Sequence, residues 1–493
     1  MKTMTETILI HGMRQPNAAA IINDEKIMTY GEFRSRLFKT IQQLSKLKEG
    51  SVNPSSFRVG VYLENSEAFL LLFLATAHIG GLAIPYDLKW TPDQLENTIL
   101  ATRPDVIFTT LPLKNRIRAS VDVYAVEEWL SIVSPTEALT ETAFLHSNPY
   151  TDFYLGFTSG TTGLPKGFKR HQVSWTKSFD ISSPLFNIRA QDVIAAPGPF
   201  VHSLSLYAAC HALYVGAAFV LFNHFDPKQV LETFNQYGAT VTYLVPTMLE
   251  ALLMQEVPLT KPMKWLSSGD KLQPYTIKKI REKWPCSSIY EFYGTSETSF
   301  ISWLDHGGQE ADKQLSVGRP FPTVELKLEN KKDGTGELWV KSPMLFSGYD
   351  QNPTATAAVL RNGWYCTGDL ARIDQEGALY LLGREKNRLI SGGLNIYPEE
   401  IERVIKDQFG LTAFVIVGIP DDYWGEKVTL VLDEQEELCE GEERFLQKLS
   451  EKLPRYQLPK QILRLTSLPM TTSGKVARER VLQLAMRQLE GQP

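Results

Sequence analysis

Short runs rich in β-branched and aromatic residues alternate with longer segments of helical period along most of the chain. The runs RVGVYL, DVIFTTL, AAFVLF and ATVTYLV, each bounded by Gly, Pro or polar residues, read as strands with helices between them. That alternation predicts an α/β architecture with layered sheets. The longest apolar stretch, Ala68 to Pro85, contains His78 and a Gly pair. It is shorter than the roughly 20 residues a membrane span requires, so it reads as a buried helix followed by a strand.

The pattern changes near residue 385. LYLLGREKNRLISGG moves from an apolar strand through charges into a Gly pair, and YPEEIERVIKDQFG then reads as a helix with Pro398 early and Gly410 as its stop. Beyond it, TAFVIVGI and KVTLVL are strand-like and two further helical runs follow. The expected division is therefore a large domain over 1–385 and a small α+β domain over 386–493. No internal repeat stands out.

Composition narrows the function. The chain has 493 residues, too many for one ordinary core, with 43% hydrophobic and 22% charged residues, as in globular proteins. Its net charge of −5 supplies no basic field for nucleic acid, which favours small-molecule partners. Cys210, Cys286, Cys366 and Cys439 lie far apart with no CxxC pair, so neither a disulfide framework nor a zinc site is expected. A reducing compartment follows. The first residues lack the apolar core of a signal peptide, so the cytoplasm is the expected location, with peripheral membrane contact left open.

The chemistry concentrates first in Tyr154 to Arg170, YLGFTSGTTGLPKGFKR. Gly160 and Gly163 let backbone amides approach a ligand, Thr158, Ser159, Thr161 and Thr162 add hydroxyls, and Lys166 adds a cation. Together they suit a polyphosphate. Gly160 is followed by Thr161, Thr162, Gly163, Leu164 and Pro165, not by the Gly-Lys-Ser/Thr order of a Walker loop, so this is not a P-loop of the NTPase kind. A generic cluster of this composition is more often a plain turn.

The order TSGTTGLPKG, however, resembles the phosphate-binding signature of the adenylate-forming superfamily, which includes acyl- and aryl-CoA synthetases, adenylation domains of peptide synthetases and firefly luciferase. The family's other motifs follow in register. EFYGTSE is similar to its adenine and metal motif, which implies that Tyr293 and Gly294 lie at the adenine, Ser296 at the α-phosphate and Glu297 at magnesium. Ser296 replaces the usual Thr but keeps the hydroxyl. GWYCTGDL looks like the ribose motif and assigns Asp369 to the ribose hydroxyls. SSGDKL resembles the segment beside the adenine, with Gly269 in place and Asp270 where a small residue is usual.

GREKNRLISGG resembles the interdomain segment, which implies nucleotide contact by Arg384 and a hinge at Lys386, where the family more often has Asp. Asn387 also departs from a frequent Asp. LPMTTSGKVARERVL resembles the last motif, whose mobile lysine is Lys475 here. A cation between an attacking carboxylate and an α-phosphate lowers the cost of bringing two anions together. PGPFVHSLSL puts His202 at the position of the acid-pocket wall.

The resemblance covers essentially the whole chain. It implies the superfamily's fold, a large N-terminal domain with nucleotide and acid pockets and a mobile C-terminal domain, with Gly392 and Gly393 at a thiol channel. It also implies ATP, Mg2+ and coenzyme A as cofactors and co-substrates: ATP activates a carboxylic acid as an acyl-adenylate, then a thiol displaces AMP. Around Phe200 to Ser203 no Asp is available to pair with an amino acid's ammonium, which favours an unsubstituted acid. A medium- or long-chain fatty acid is the first expectation and an aryl acid the second. Loading of a separate carrier protein is the rival within the class. A kinase or ATPase, giving ADP and phosphate, is the rival outside it, as is a nucleotide-binding module without activity, which predicts erosion at Lys475, Glu297 or Asp369.

Overall fold

The computed structural model describes residues 2–23, 26–131, 148–158, 166–307, 315–332, 334–392, 394–438, 441–471 and 475–491. It divides into two compact units, one of residues 1–272, 276–325 and 341–365, the other of 273–275, 326–340 and 366–493.

The first unit is built on two sheets with helical connections, as the alternating pattern predicts. In one, the strands Leu82–Pro85, Arg58–Tyr62, Val106–Thr109 and Asp122–Ala125 run parallel in that order. Asp152–Thr158 joins Leu82–Pro85 in parallel and then pairs antiparallel with Lys166–His171. The other is a nine-stranded sheet whose centre holds Ser288–Tyr293, Lys264–Ser267, Val241–Leu244 and Val193–Ala195 in parallel. Strands buried on both faces explain why these runs read as continuous apolar stretches.

The stretch after Ala68 is the expected helix and strand. The helix Glu67–His78 is capped by Ser66, whose hydroxyl accepts from the Phe69 amide, and every side chain from Phe69 to His78 is buried. It stops where Gly80 takes φ of +70°, and the strand Leu82–Pro85 follows. Among the described residues no helix is long and apolar enough to cross a membrane.

Two histidines whose pKa burial lowers, one wholly buried and one half-buried, make the first unit acid-sensitive. His211, on the helix Ser203–Val215, is wholly buried, stacks on Phe179 and bonds Tyr243 Oη and Ser183 Oγ, each at 2.8 Å. Burial pushes its pKa down to about 3, and that of His171, with help from the Arg170 charge, to about 4. Both folded values lie below the unfolded one, so the stability they contribute is complete above about pH 6.5 and is lost as pH falls towards them. Urea unfolding at pH 7 and pH 5 should show a loss approaching about 1.4 kcal/mol per histidine for each unit below 6.5. Equal stability at the two values would contradict their burial as neutral rings.

The second unit contains a sheet in which Trp364–Ile373 pairs antiparallel with Leu379–Arg384, and another ordered Leu394–Ile396, Leu389–Ser391, Gly425–Asp433 and Phe414–Asp421, with Gln461–Leu465 added in parallel. Phe414–Asp421 is apolar on both faces. Phe414 and Ile416 pack with Ile401 and Ile405 of the helix Pro398–Phe409 and with Phe445 and Leu449 of Glu442–Ser450. Val415, Val417 and Ile419 turn the other way and meet Val481 and Ala485 of Arg478–Glu490.

Candidate active site

The strands on either side of the Gly/Thr segment pair with each other. Thr158 ends Asp152–Thr158 and lies opposite Lys166, which begins Lys166–His171. Ser159, Gly160, Thr161, Thr162 and Gly163 lie outside the described residues. Lys166 leans over the ring of Tyr349, its Nζ 3.3 Å from the centroid, and the same tyrosine's Oη donates to Glu297 Oε1 at 3.1 Å. Lys166 and Glu297, 131 positions apart, are therefore linked through one aromatic side chain. Burial lowers the Lys166 pKa, and the Glu297 charge opposes that shift. The hydroxyl of Tyr349 is pushed well above its ordinary range by burial and by the same carboxylate.

Glu297 sits on a tight turn after the strand Ser288–Tyr293. The Thr295 amide donates to Thr298 Oγ1 at 2.9 Å, the Ser299 amide donates to the Thr295 carbonyl at 3.0 Å, and Ser299 adopts φ of +59°. Gly294 is obligatory here, because a Cβ would lie 1.8 Å from the Ser299 carbonyl oxygen. The Glu297 carbonyl accepts from the Phe346 amide at 2.7 Å, which fixes the turn from a second side. Tyr293 and Ser296 flank the buried carboxylate and are both half-buried.

Gly269 follows the strand Lys264–Ser267 with φ of +96°. Next to it, Asp270 Oδ1 accepts from the Lys271 amide, and the Lys271 ammonium donates to the buried Glu291 at 2.7 Å, which also bonds His306 at 3.0 Å. His202 directly precedes the helix Ser203–Val215 and is half-buried. Burial lowers its pKa; the Asp87 charge raises it and the Lys89 charge lowers it further. The preceding turn is cradled by Asn65, whose amide donates to the Gly198 and Phe222 carbonyls at 2.9 Å and accepts from the Phe200 amide at 2.7 Å.

The remaining positions belong to the second unit. Asp369 and Arg384 are cross-strand partners, with Arg384 Nε donating to Asp369 Oδ1 at 3.2 Å. Thr367 Oγ1 holds the Asp369 amide at 3.1 Å. Lys386 sits in the turn Glu385–Asn387, whose Asn387 side chain donates to Glu399 Oε1. Gly392 takes φ of +58° and its amide donates to the Trp424 carbonyl at 2.8 Å; Gly393 lies outside the described residues.

Lys475 is exposed beside the Met470–Val476 bridge, and its carbonyl accepts from the Thr471 amide at 2.6 Å. Three residues on, Arg478 makes a two-pronged pair with Glu402 at 2.8 and 3.0 Å and bonds the Ile416 carbonyl.

Several of these side chains were not singled out from sequence: Tyr349, Asn65, Arg170 and the Glu402–Arg478 pair. None carries a local signal: even Arg170 lies among other basic residues in KGFKRH.

The comparisons with known proteins agree with the motifs. The model of the AMP-binding enzyme family matches residues 10–350. The uncharacterized acyl-CoA ligase YhfT of Bacillus subtilis is 35% identical, covering 97% of this chain and 98% of its own length. The putative long chain fatty acid-CoA ligase VraA of Staphylococcus aureus is 31% identical over 99% of each chain. The o-succinylbenzoate CoA synthetase MenE of Bacillus subtilis, solved with its acyl-adenylate intermediate, superposes with a TM-score of 0.87 at 25% identity, covering 96% of this chain and 97% of its own. The chain belongs to the AMP-binding enzyme family, within the adenylate-forming superfamily whose motifs it carries in order.

Proposed function

We propose that the protein is an AMP-forming acid–thiol ligase that joins a carboxylic acid to coenzyme A. In the first step a carboxylate oxygen attacks the α-phosphorus of ATP, the bond to the bridging oxygen of the β-phosphate breaks, and pyrophosphate departs. In the second, the thiol sulfur attacks the acyl carbon and gives up its proton, and AMP leaves. The observation that carries this reading is the meeting of Lys166 and Glu297 on Tyr349, beside the strand pair that brackets the Gly/Thr loop.

In this scheme Lys166 and the hydroxyls of Thr158, Ser159, Thr161 and Thr162 hold phosphates with the amides of Gly160 and Gly163. Tyr293, Gly294 and Gly269 border the adenine, and Ser296 bonds the α-phosphate. Asp369, aligned by Thr367 and Arg384, takes the ribose hydroxyls, since a carboxylate accepts two donors well. Magnesium suits the donor set at Glu297, because a hard cation is ordinarily held by one or two carboxylates with phosphate oxygens completing its shell. Bound there it would neutralise phosphate charge. His202, kept neutral by burial, walls the acid's carboxylate without adding an ionic partner. The small domain pivots at Lys386, bringing Lys475 to the site for adenylation and Gly392 and Gly393 to the thiol channel for transfer.

The acid is a medium- or long-chain fatty acid. The likeness to VraA, a putative long chain fatty acid-CoA ligase, supports that choice. An aryl acid is the second reading, favoured by the likeness to a succinylbenzoate synthetase.

The test is pyrophosphate release from magnesium-ATP across fatty, aryl and amino acids, with and without coenzyme A. Turnover with fatty acids only when coenzyme A is present is the expected result; adenylate that stays bound until a carrier protein is added would replace the acceptor, and ADP as product would sink the reading. In the same assay Glu297→Gln should raise the magnesium-ATP requirement on the order of 10-fold or more while leaving the acid KM near its parental value, as for loss of one charged interaction.

A further inference from the structure

Among the described residues Arg170 is the largest fully buried charged side chain, 1% exposed near the end of the strand Lys166–His171. A buried guanidinium is costly unless its donors and its charge are answered. Four donations answer the donors: Nε to Ser174 Oγ at 3.0 Å, Nη1 to the Ser296 carbonyl at 2.6 Å, and Nη2 to Ser299 Oγ at 2.6 Å and the Met344 carbonyl at 2.7 Å. All four acceptors are neutral. The carboxylate in its field is Glu297, whose charge favours the protonated guanidinium against the desolvation that otherwise lowers its pKa to about 10.

Strand geometry gives this arrangement its meaning. Lys166, Phe168 and Arg170 alternate onto one face, so one strand presents two cations with Glu297 in the field of both. The bond to the Ser296 carbonyl holds the peptide between Ser296 and Glu297, the unit whose orientation sets the direction of both side chains. Ser299, held at φ of +59°, is fastened by the same fork, so Arg170 grips the turn at both ends. A lysine would supply the charge as a point and could not reproduce the planar fork.

We infer that Arg170 is a positioning residue for nucleotide binding, fixing the Ser296–Ser299 turn so that the Glu297 carboxylate and the Ser296 hydroxyl are presented together to magnesium-ATP. The inference rests on the ligase reading only for the identity of the nucleotide. Lys166 meets the phosphates directly; Arg170 acts from behind the turn, and its effect reaches the ligand through the backbone it holds.

The experiment is calorimetric binding of magnesium with a non-hydrolysable ATP analogue to the full-length parent, Arg170→Lys and Ser299→Ala, with a thermal melt of each. Binding is read without acid or coenzyme A, so a failure of the ligase reading leaves the comparison intact. Arg170→Lys should weaken analogue binding on the order of 10-fold or more, while conversion of a supplied acyl-adenylate to thioester, which keeps the α-phosphate on Ser296 but has no pyrophosphate for the Glu297 side to hold, falls by a clearly smaller factor. Ser299→Ala, which removes one acceptor and leaves the guanidinium in place, should shift binding in the same direction by a smaller factor, and it serves where Arg170→Lys fails to fold. Parental affinity in a folded Arg170→Lys protein, parental affinity in Ser299→Ala, or equal loss in nucleotide binding and thioester formation would each overturn the assignment.

Discussion

Lys475→Ala is expected to slow acid-dependent pyrophosphate release by on the order of 100-fold or more, the effect of losing one well-placed electrostatic group. Conversion of a supplied acyl-adenylate to thioester should continue at close to the parental rate. The asymmetry comes from charge. Only the first half-reaction drives an anionic carboxylate against an anionic phosphate, whereas the second joins a thiol to an acyl carbon whose leaving group already exists. Lys475 is exposed and its carbonyl is held by the Thr471 amide, so truncating the side chain removes a cation without opening the core. Equal loss in the two half-reactions would show that the lysine supports both, and the two-pose scheme would fall.

Arg478→Met should produce the second large effect, on the fold as well as on the chemistry. Its guanidinium engages both oxygens of Glu402, approaches Glu399 to 3.7 Å and bonds the Ile416 carbonyl, while the Ile416 amide donates to Glu402 at 2.7 Å. Without the arginine two carboxylates face each other and the Ile416 carbonyl loses that donor. Side-chain exposures of 21% for Arg478 and 17% for Glu402 leave some contact with water, so the expected cost is about 2–3 kcal/mol, below that of a wholly buried pair. Urea unfolding, followed by probes in the second unit, would detect it. Because Arg478 begins the helix that follows Lys475, adenylation should fall more than thioester formation in the same variant. An unchanged unfolding transition would mean the pair contributes nothing net.

The layered α/β fold and the nucleotide motifs were legible because both are local. Strand runs bounded by Gly and Pro declare themselves over a few residues, and TSGTTGLPKG or EFYGTSE carries its identity in its order. The supports of those motifs were not legible, for a physical reason. Tyr349 lies 52 positions from the Glu297 it bonds, Arg170 lies 126 from the Ser296 carbonyl, and Asn65 lies 133 from Gly198. Such partners are brought together only by sheet order and leave no period or spacing in the chain. The segment LSLYAACHALYVGAAFVLF shows the opposite limit. Its apolar character fits a buried helix closed by Gly216 at φ of +84° followed by the strand Ala218–Val220, so composition alone could not distinguish core from pocket lining.

The strand Phe414–Asp421 carries a consequence for sequence drift. A strand with one wet face can vary at every second position, but here Phe414 to Ile419 are buried consecutively, with alternate side chains committed to different cores. Even Gly418 is confined, since a Cβ would approach Leu389 Cδ2 to 2.7 Å. Substitutions of low cost in this unit are therefore expected on the outer faces of its helices rather than along this strand.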